Sequence, residues 1–138
     1  MKPLLTILLV FATLELNCQI IDKEYSFMQT DANFLKKLKY KISGKHDYNY
    51  TDKIILYTDS TFFRTIFGTN GTFISFEDCG TWQEKKDSIF LYLNKFRIPE
   101  SSDLWTDCKR IDIFYKKKLT IIPVNNGQLN KDQKYKLK

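Results

Sequence analysis

A chain of 138 residues with 43% hydrophobic and 15% aromatic content is one domain, large enough for a real core. Such a composition excludes a disordered or low-complexity chain. The formal net charge of +6 comes without any nucleic-acid-binding module, so nucleic acid is not expected as a partner.

Residues 1–18 read as a signal peptide. Lys2 supplies a positive start, and the apolar run 4–14 (LLTILLVFATL) is too short to span a bilayer but of the right length for a secretory core. The mature domain is then 19–138, exported to the periplasm, the outer envelope or the medium. Cys18 either leaves with the signal or carries a lipid. Glu15-Leu16-Asn17 departs from the small residues that precede a lipidated cysteine, so simple secretion is favoured. The membrane is a partner only if Cys18 is lipidated.

Residues 22–52 are the least strand-like part. Asp31 is placed to cap a helix over 32–42, with Phe34, Leu35, Leu38 and Ile42 on one side and Lys36, Lys37, Lys39 and Lys41 mostly on the other. This spacing predicts one short N-terminal helix, packed across an end or face of a sheet. Ser43-Gly44-Lys45 ends it. His46, the only histidine, falls in a loop without the partners that a catalytic base needs.

Residues 53–94 hold four runs rich in Ile, Phe, Thr, Tyr and Leu: 54–58, 61–67, 72–77 continuing to 83, and 89–94. Such residues fit a pleated sheet. Asp59-Ser60, Gly68-Thr69-Asn70-Gly71 and Lys85-Lys86-Asp87-Ser88 separate them with turn chemistry. Loops this short pair each strand with the next, giving an antiparallel meander. Both faces are apolar in places. Phe62 and Ile66 alternate with Phe63 and Phe67, and Ile89, Leu91 and Leu93 alternate with Phe90 and Tyr92. One of these sets must face the interior of a barrel or sandwich. Gly80-Thr81-Trp82 reads as a glycine kink followed by an aromatic plug for one end of the core.

Residues 95–107 look irregular. RIDIFY at 110–115 and LTIIPV at 119–124 are further strands, Asn125-Asn126-Gly127 is a turn, and 134–137 closes the sheet. Residues 116–138 carry seven lysines and one aspartate. They read as solvated guards of an edge strand, with attraction to anionic lipid or glycan as the functional alternative.

Cys79 and Cys108 remain as an even pair once Cys18 is set aside, and export predicts a disulfide between them. Two distant cysteines and one histidine are too few for a metal site. No nucleophile elbow, zinc-protease helix, phosphate loop or dinucleotide fingerprint is present. Glu77-Asp78 are adjacent in a strand and so point to opposite faces. No catalytic residue, metal or cofactor is therefore assigned.

The order of an apolar strand, an Asp-Ser-Thr-Phe turn, a glycine-rich turn, a Gly-Thr-Trp strand, a Lys-Asp-Ser turn and an Ile-Phe-Leu strand resembles small exported lipocalin-like β proteins of Bacteroidetes-type bacteria. It is also similar to the N-terminal barrel of envelope copper-resistance lipoproteins, although their Cys-x-x-Cys is missing. The residues that carry the resemblance are 54–62 and 80–93. It implies a ligand cavity. The expected fold is thus all-β, an antiparallel meander forming a small lipocalin-like barrel or half-barrel with one short N-terminal helix. The expected function is a cell-envelope protein holding a small apolar ligand, with Phe63, Phe67, Phe90 and Tyr92, or the opposite set, lining the cavity. The alternative is a structural or inhibitory protein that contacts another envelope protein through its surface.

Overall fold

The computed structural model describes residues 19–30, 42, 49–69 and 73–138. They form nine strands: β1 (Ile21–Thr30), β2 (Asn49–Tyr57), β3 (Thr61–Thr69), β4 (Phe73–Lys85), β5 (Ser88–Arg97), β6 (Thr106–Lys117), β7 (Thr120–Asn125), β8 (Gln128–Leu129) and β9 (Tyr135–Leu137). Each strand from β1 to β6 pairs antiparallel with the next. β7 then joins β6 to β9, and β9 returns to β1, closing a ring of eight strands, with β8 attached to the far end of β7. The fold is an all-β antiparallel closed barrel, the class to which the alternating strands and short turns point. The expected signal segment, His46 and the expected helix lie outside the described residues, apart from Ile42, whose side chain is exposed.

Turn chemistry sets the meander locally. Asp59 accepts from the Thr61 amide at 2.9 Å and from its hydroxyl at 2.6 Å, fixing the β2–β3 turn. Asn126 and Gly127 both have positive φ, the mirror-image hairpin turn whose twist suits the flanking strands. Lys86 and Lys118 supply single positive-φ residues in the β4–β5 and β6–β7 turns.

Period-2 alternation decides what is buried. Ile54, Leu56, Phe62, Ile89, Leu91 and Leu93 are nearly sealed from solvent. Tyr25 and Phe27 of β1, Phe114 of β6, Ile121 of β7 and Tyr135 of β9 join them in one apolar cluster. Tyr135 lies between Phe27 and Phe114, with ring centroids 5.4 Å from each. Burial of each large side chain contributes about 1.5–3 kcal/mol against exposure. These side chains fill their part of the interior, as the bore of an eight-stranded barrel allows.

Three sequence readings are corrected. Residues 22–52 are not strand-poor, because β1 occupies Ile21–Thr30 and β2 begins at Asn49. In IDKEYSFMQT the inward Tyr25 and Phe27 alternate with outward Glu24, Ser26 and Met28, and so many polar residues hide the strand period. The stretch 95–107 is less irregular than expected, since β5 runs to Arg97 and β6 starts at Thr106. Finally, Cys79 and Cys108 are free thiols rather than a disulfide. Cys79 pairs with Lys95 of β5, and Lys95 pairs on its other side with Asp107 of β6. A whole strand therefore separates the cysteines, about 9–10 Å at the usual strand spacing, beyond the roughly 7 Å Cα limit for a disulfide. Burial raises both thiol pKa values, helped at Cys108 by the neighbouring Asp78 charge. That disfavours the reactive thiolate.

Gly80 is the kink that the sequence implied. The β4–β5 register shifts between Cys79 and Gly80, a bulge that brings the β5 backbone close. A Cβ at Gly80 would collide with the carbonyl oxygen of Tyr92 and lie 3.0 Å from the amide nitrogen of Asn94. Beyond it Trp82 is half-buried against the core, and its indole N–H donates to the Tyr57 carbonyl at 2.9 Å.

Candidate functional site

Three strands carry a charged residue at a position where alternation calls for an apolar one. Asp52 precedes Ile54 and Leu56 on the inward face of β2, Arg64 follows Phe62 on β3, and Asp78 lies opposite Arg64 on β4. All three are buried, Asp52 completely. A buried charge is tolerable only when paired and hydrogen-bonded, and the barrel supplies partners from several walls. Arg64 donates through Nε to Asp52 Oδ1 at 2.9 Å and through Nη2 to Asp52 Oδ2. Its Nη1 reaches across the interior to Asp112 Oδ2 on β6 at 2.8 Å. The Tyr135 hydroxyl donates to Asp52 Oδ2 at 2.7 Å. Arg110, exposed at the rim, grips Asp112 with two hydrogen bonds of 3.0 and 3.2 Å and reaches Asp78 at 3.3 Å. One network thus ties together β2, β3, β4, β6 and β9.

Burial raises the Asp78 carboxyl above its ordinary range, and the Arg64 and Arg110 charges only partly offset this. It also raises the Tyr135 phenol far above its usual value, reinforced by the Asp52 charge. Burial works against the Arg64 cation, but the Asp52 hydrogen bonds and charge outweigh it, so the guanidinium stays charged.

The opposite end of the barrel carries a smaller, more exposed ion group. Glu84 accepts from Lys23 at 2.9 Å and from Lys116, and Lys23 sits 5.6 Å from the Trp82 ring centroid. Hydrogen bonds from Lys116 and Lys23 lower the Glu84 carboxyl pKa.

The charged end has an opening in the wall. β6 and β7 pair only from Lys117/Thr120 to Phe114/Pro123. Past that point β7 turns to β8, and among the described residues the Thr106–Ile113 part of β6 has no strand on this side. A pocket of about 430 Å³ occupies the parting, with Ile113, Pro123 and Val124 as its apolar walls. Arg110, Asn125, Asn126 and Gln133 stand around it, and Arg64 and Tyr135 reach it from the network. This volume lies within the usual range for small-molecule sites.

The aromatic residues singled out from the sequence do not meet at this pocket. Phe63, Phe67, Phe90 and Tyr92 lie on the outward face, out of step with Phe62, Leu91 and Leu93, and all four are half-buried. Phe63 packs edge-on against Trp105 with centroids 6.4 Å apart, Arg97 lies over Trp105 at 4.7 Å, and Phe90 stacks near Tyr92. The sequence reading missed Asp52, Arg64, Arg110, Asp112 and Tyr135. The signal available was a charge on the apolar parity of a strand, as in Asp52-Lys53-Ile54-Ile55-Leu56 and Phe62-Phe63-Arg64.

Among the described residues no group of three or more His, Cys, Asp or Glu is arranged to hold a metal ion. No helix there is long and apolar enough to cross a membrane. No family model, curated protein or solved structure matches the chain.

Proposed function

We propose that this is an exported cell-envelope protein whose barrel binds a small ligand through the opening between β6 and β7. The observation that carries the reading is the pocket of about 430 Å³ at that opening, with apolar walls beside a fixed ionic network. The apolar body of a ligand would lie against Ile113, Pro123 and Val124. A hydrogen-bonding end would meet Arg110 and the amides of Asn125 and Gln133. The network is already internally paired, so the site favours a small molecule of little net charge over a strong ion. The buried Asp52 fixes the geometry by holding Arg64, whose guanidinium reaches the pocket.

Native mass spectrometry of protein purified from its own host tests this. A small molecule should co-purify, or an apolar fluorescent probe should be taken up, and Asn125→Trp, which fills the opening from an exposed position, should abolish either signal without loss of fold. No bound molecule and no probe uptake in the parent protein would end the proposal.

A second reading, a protein that acts on another envelope protein through its surface, is favoured by the outer face of β5 and β6. There Tyr92 is opposite Ile111 and Phe90 opposite Ile113, and Ile111 is 56% exposed. Capture of an envelope protein that is lost on Ile111→Lys would support it.

A further inference from the structure

A second concavity lies outside the barrel, on the far side of β7 from the interior. Ile122 pairs with Tyr115 and faces outward, away from Ile121 and Pro123, yet it is only 5% exposed. Its cover comes from the chain beyond β8. The Asn130 amide donates to the Pro123 carbonyl at 2.9 Å, and the Gln133 amide donates to the Asn130 carbonyl at 3.2 Å, holding the 130–133 turn beside β7. Between this turn and the β6–β7 hairpin runs a groove of about 710 Å³. Its apolar surface comes from Tyr115, Leu119, Ile122 and Leu129. Leu119 and Leu129 are 67% and 40% exposed, a cost in hydration that a core residue would not bear.

The charged side chains that line the groove are all cationic, although Asp132 stands exposed in the 130–133 turn. Lys117, Lys118, Lys131 and Lys134 line it, and no carboxylate does. Four of the nine described lysines outside the groove pair with carboxylates, Lys23 and Lys116 with Glu84 and Lys53 and Lys138 with Glu24. An apolar trough of this size ringed by four cations complements a molecule with a long apolar body and an anionic head. We infer that the groove binds a single-chain acidic amphiphile, with its hydrocarbon chain against Leu119, Ile122 and Leu129 and its carboxylate or phosphate among the four lysines. The concave shape favours one molecule lying in the trough over a bilayer resting on it. This site is separate from the opening between β6 and β7 and does not depend on it.

The test is titration with a saturated fatty acid kept below its micelle-forming concentration, followed by calorimetry on the full chain, beside its methyl ester and beside vesicles of neutral and anionic phospholipid. The acid should bind one to one, and the ester at least about tenfold more weakly, as expected when several lysines lose their counter-charge. Leu119→Asp, at an exposed turn position, and the double variant Lys131→Glu/Lys134→Glu should each weaken binding by a similar factor while the far-ultraviolet circular dichroism stays unchanged. Asn125→Trp should leave it intact, separating this site from the opening in the wall. Equal binding of acid and ester, insensitivity to both groove variants, or association with anionic vesicles but not with the monomeric acid would overturn the inference.

Discussion

Arg64 divides its donors between two carboxylates on different strands, and each of those carboxylates has a further donor: Tyr135 for Asp52, Arg110 for Asp112. Because Asp52 is wholly buried, removing its cation leaves a charge with no way back to water. Arg64→Leu should therefore cost about 3–5 kcal/mol in denaturant unfolding. The double replacement Asp52→Leu/Arg64→Leu should recover most of that loss, since an ion pair exchanged for apolar groups of similar size is often neutral. Equal losses in the single and double variants would show that the pair does not act as a unit. At this scale little of the site was legible. Partners that stand 12 and 48 residues apart in sequence become neighbours only through register and ring closure, neither of which a single strand encodes. Only the misplaced parity of Asp52 and Arg64 marks them as inward charges.

Elements were far easier to read than contacts. The four runs between residues 54 and 94 appear as strands because β-branched and aromatic residues repeat with period 2 and turn residues punctuate them. β1 escaped because six of its ten residues are polar. The choice of inward face was not legible either, since both faces of β3 and β5 are aromatic or aliphatic. Burial settles it in favour of Phe62, Ile89, Leu91 and Leu93. The β4–β5 pair also carries the strictest local requirement in the fold. Gly80 is the only residue type that fits under the Tyr92 carbonyl. Gly80→Ala must push β5 away or undo the bulge, and it should destabilise by about 1–3 kcal/mol or more, the range for overpacking. Gly68 makes a suitable control, since a Cβ there meets nothing closer than a Tyr50 ring carbon at 3.8 Å. A Gly80→Ala variant with an unchanged urea midpoint would mean that the strand can shift at no cost.

On the scale of the whole barrel, its carboxylates pull the pH dependence of stability in opposite directions. Glu24 and Glu84 have lowered pKa values; at Glu84 the hydrogen bond from Lys116 leads, and at Glu24 burial opposes the shift but Lys53 and Lys138 outweigh it. Their contribution is present above the ordinary glutamate value and is lost as pH falls through their folded values. Asp78 is shifted the other way by burial. Its contribution is complete below the ordinary value of 3.8 and is lost as pH rises through the raised one. On acidification proton uptake by Asp78 should therefore offset part of the stability lost at the two glutamates. Asp78→Asn should remove that offset and be no less stable at neutral pH, as read from urea midpoints across a pH series. A parent curve identical in shape to that of Asp78→Asn would contradict the assignment. The short strand β9 carries a different consequence, one of timing. The meander from β1 to β6 can zip up in the order of the sequence, each strand on its predecessor. The ring closes only when Tyr135–Leu137 inserts between β1 and β7, pairing Tyr25 with Leu137 from the opposite end of the described chain. Closing so long a loop is slow. Until it happens Asp52 lacks the Tyr135 hydroxyl, and β1 offers a bare edge to any other strand nearby. A nascent chain would thus be vulnerable to aggregation for as long as it waits for three late residues to arrive.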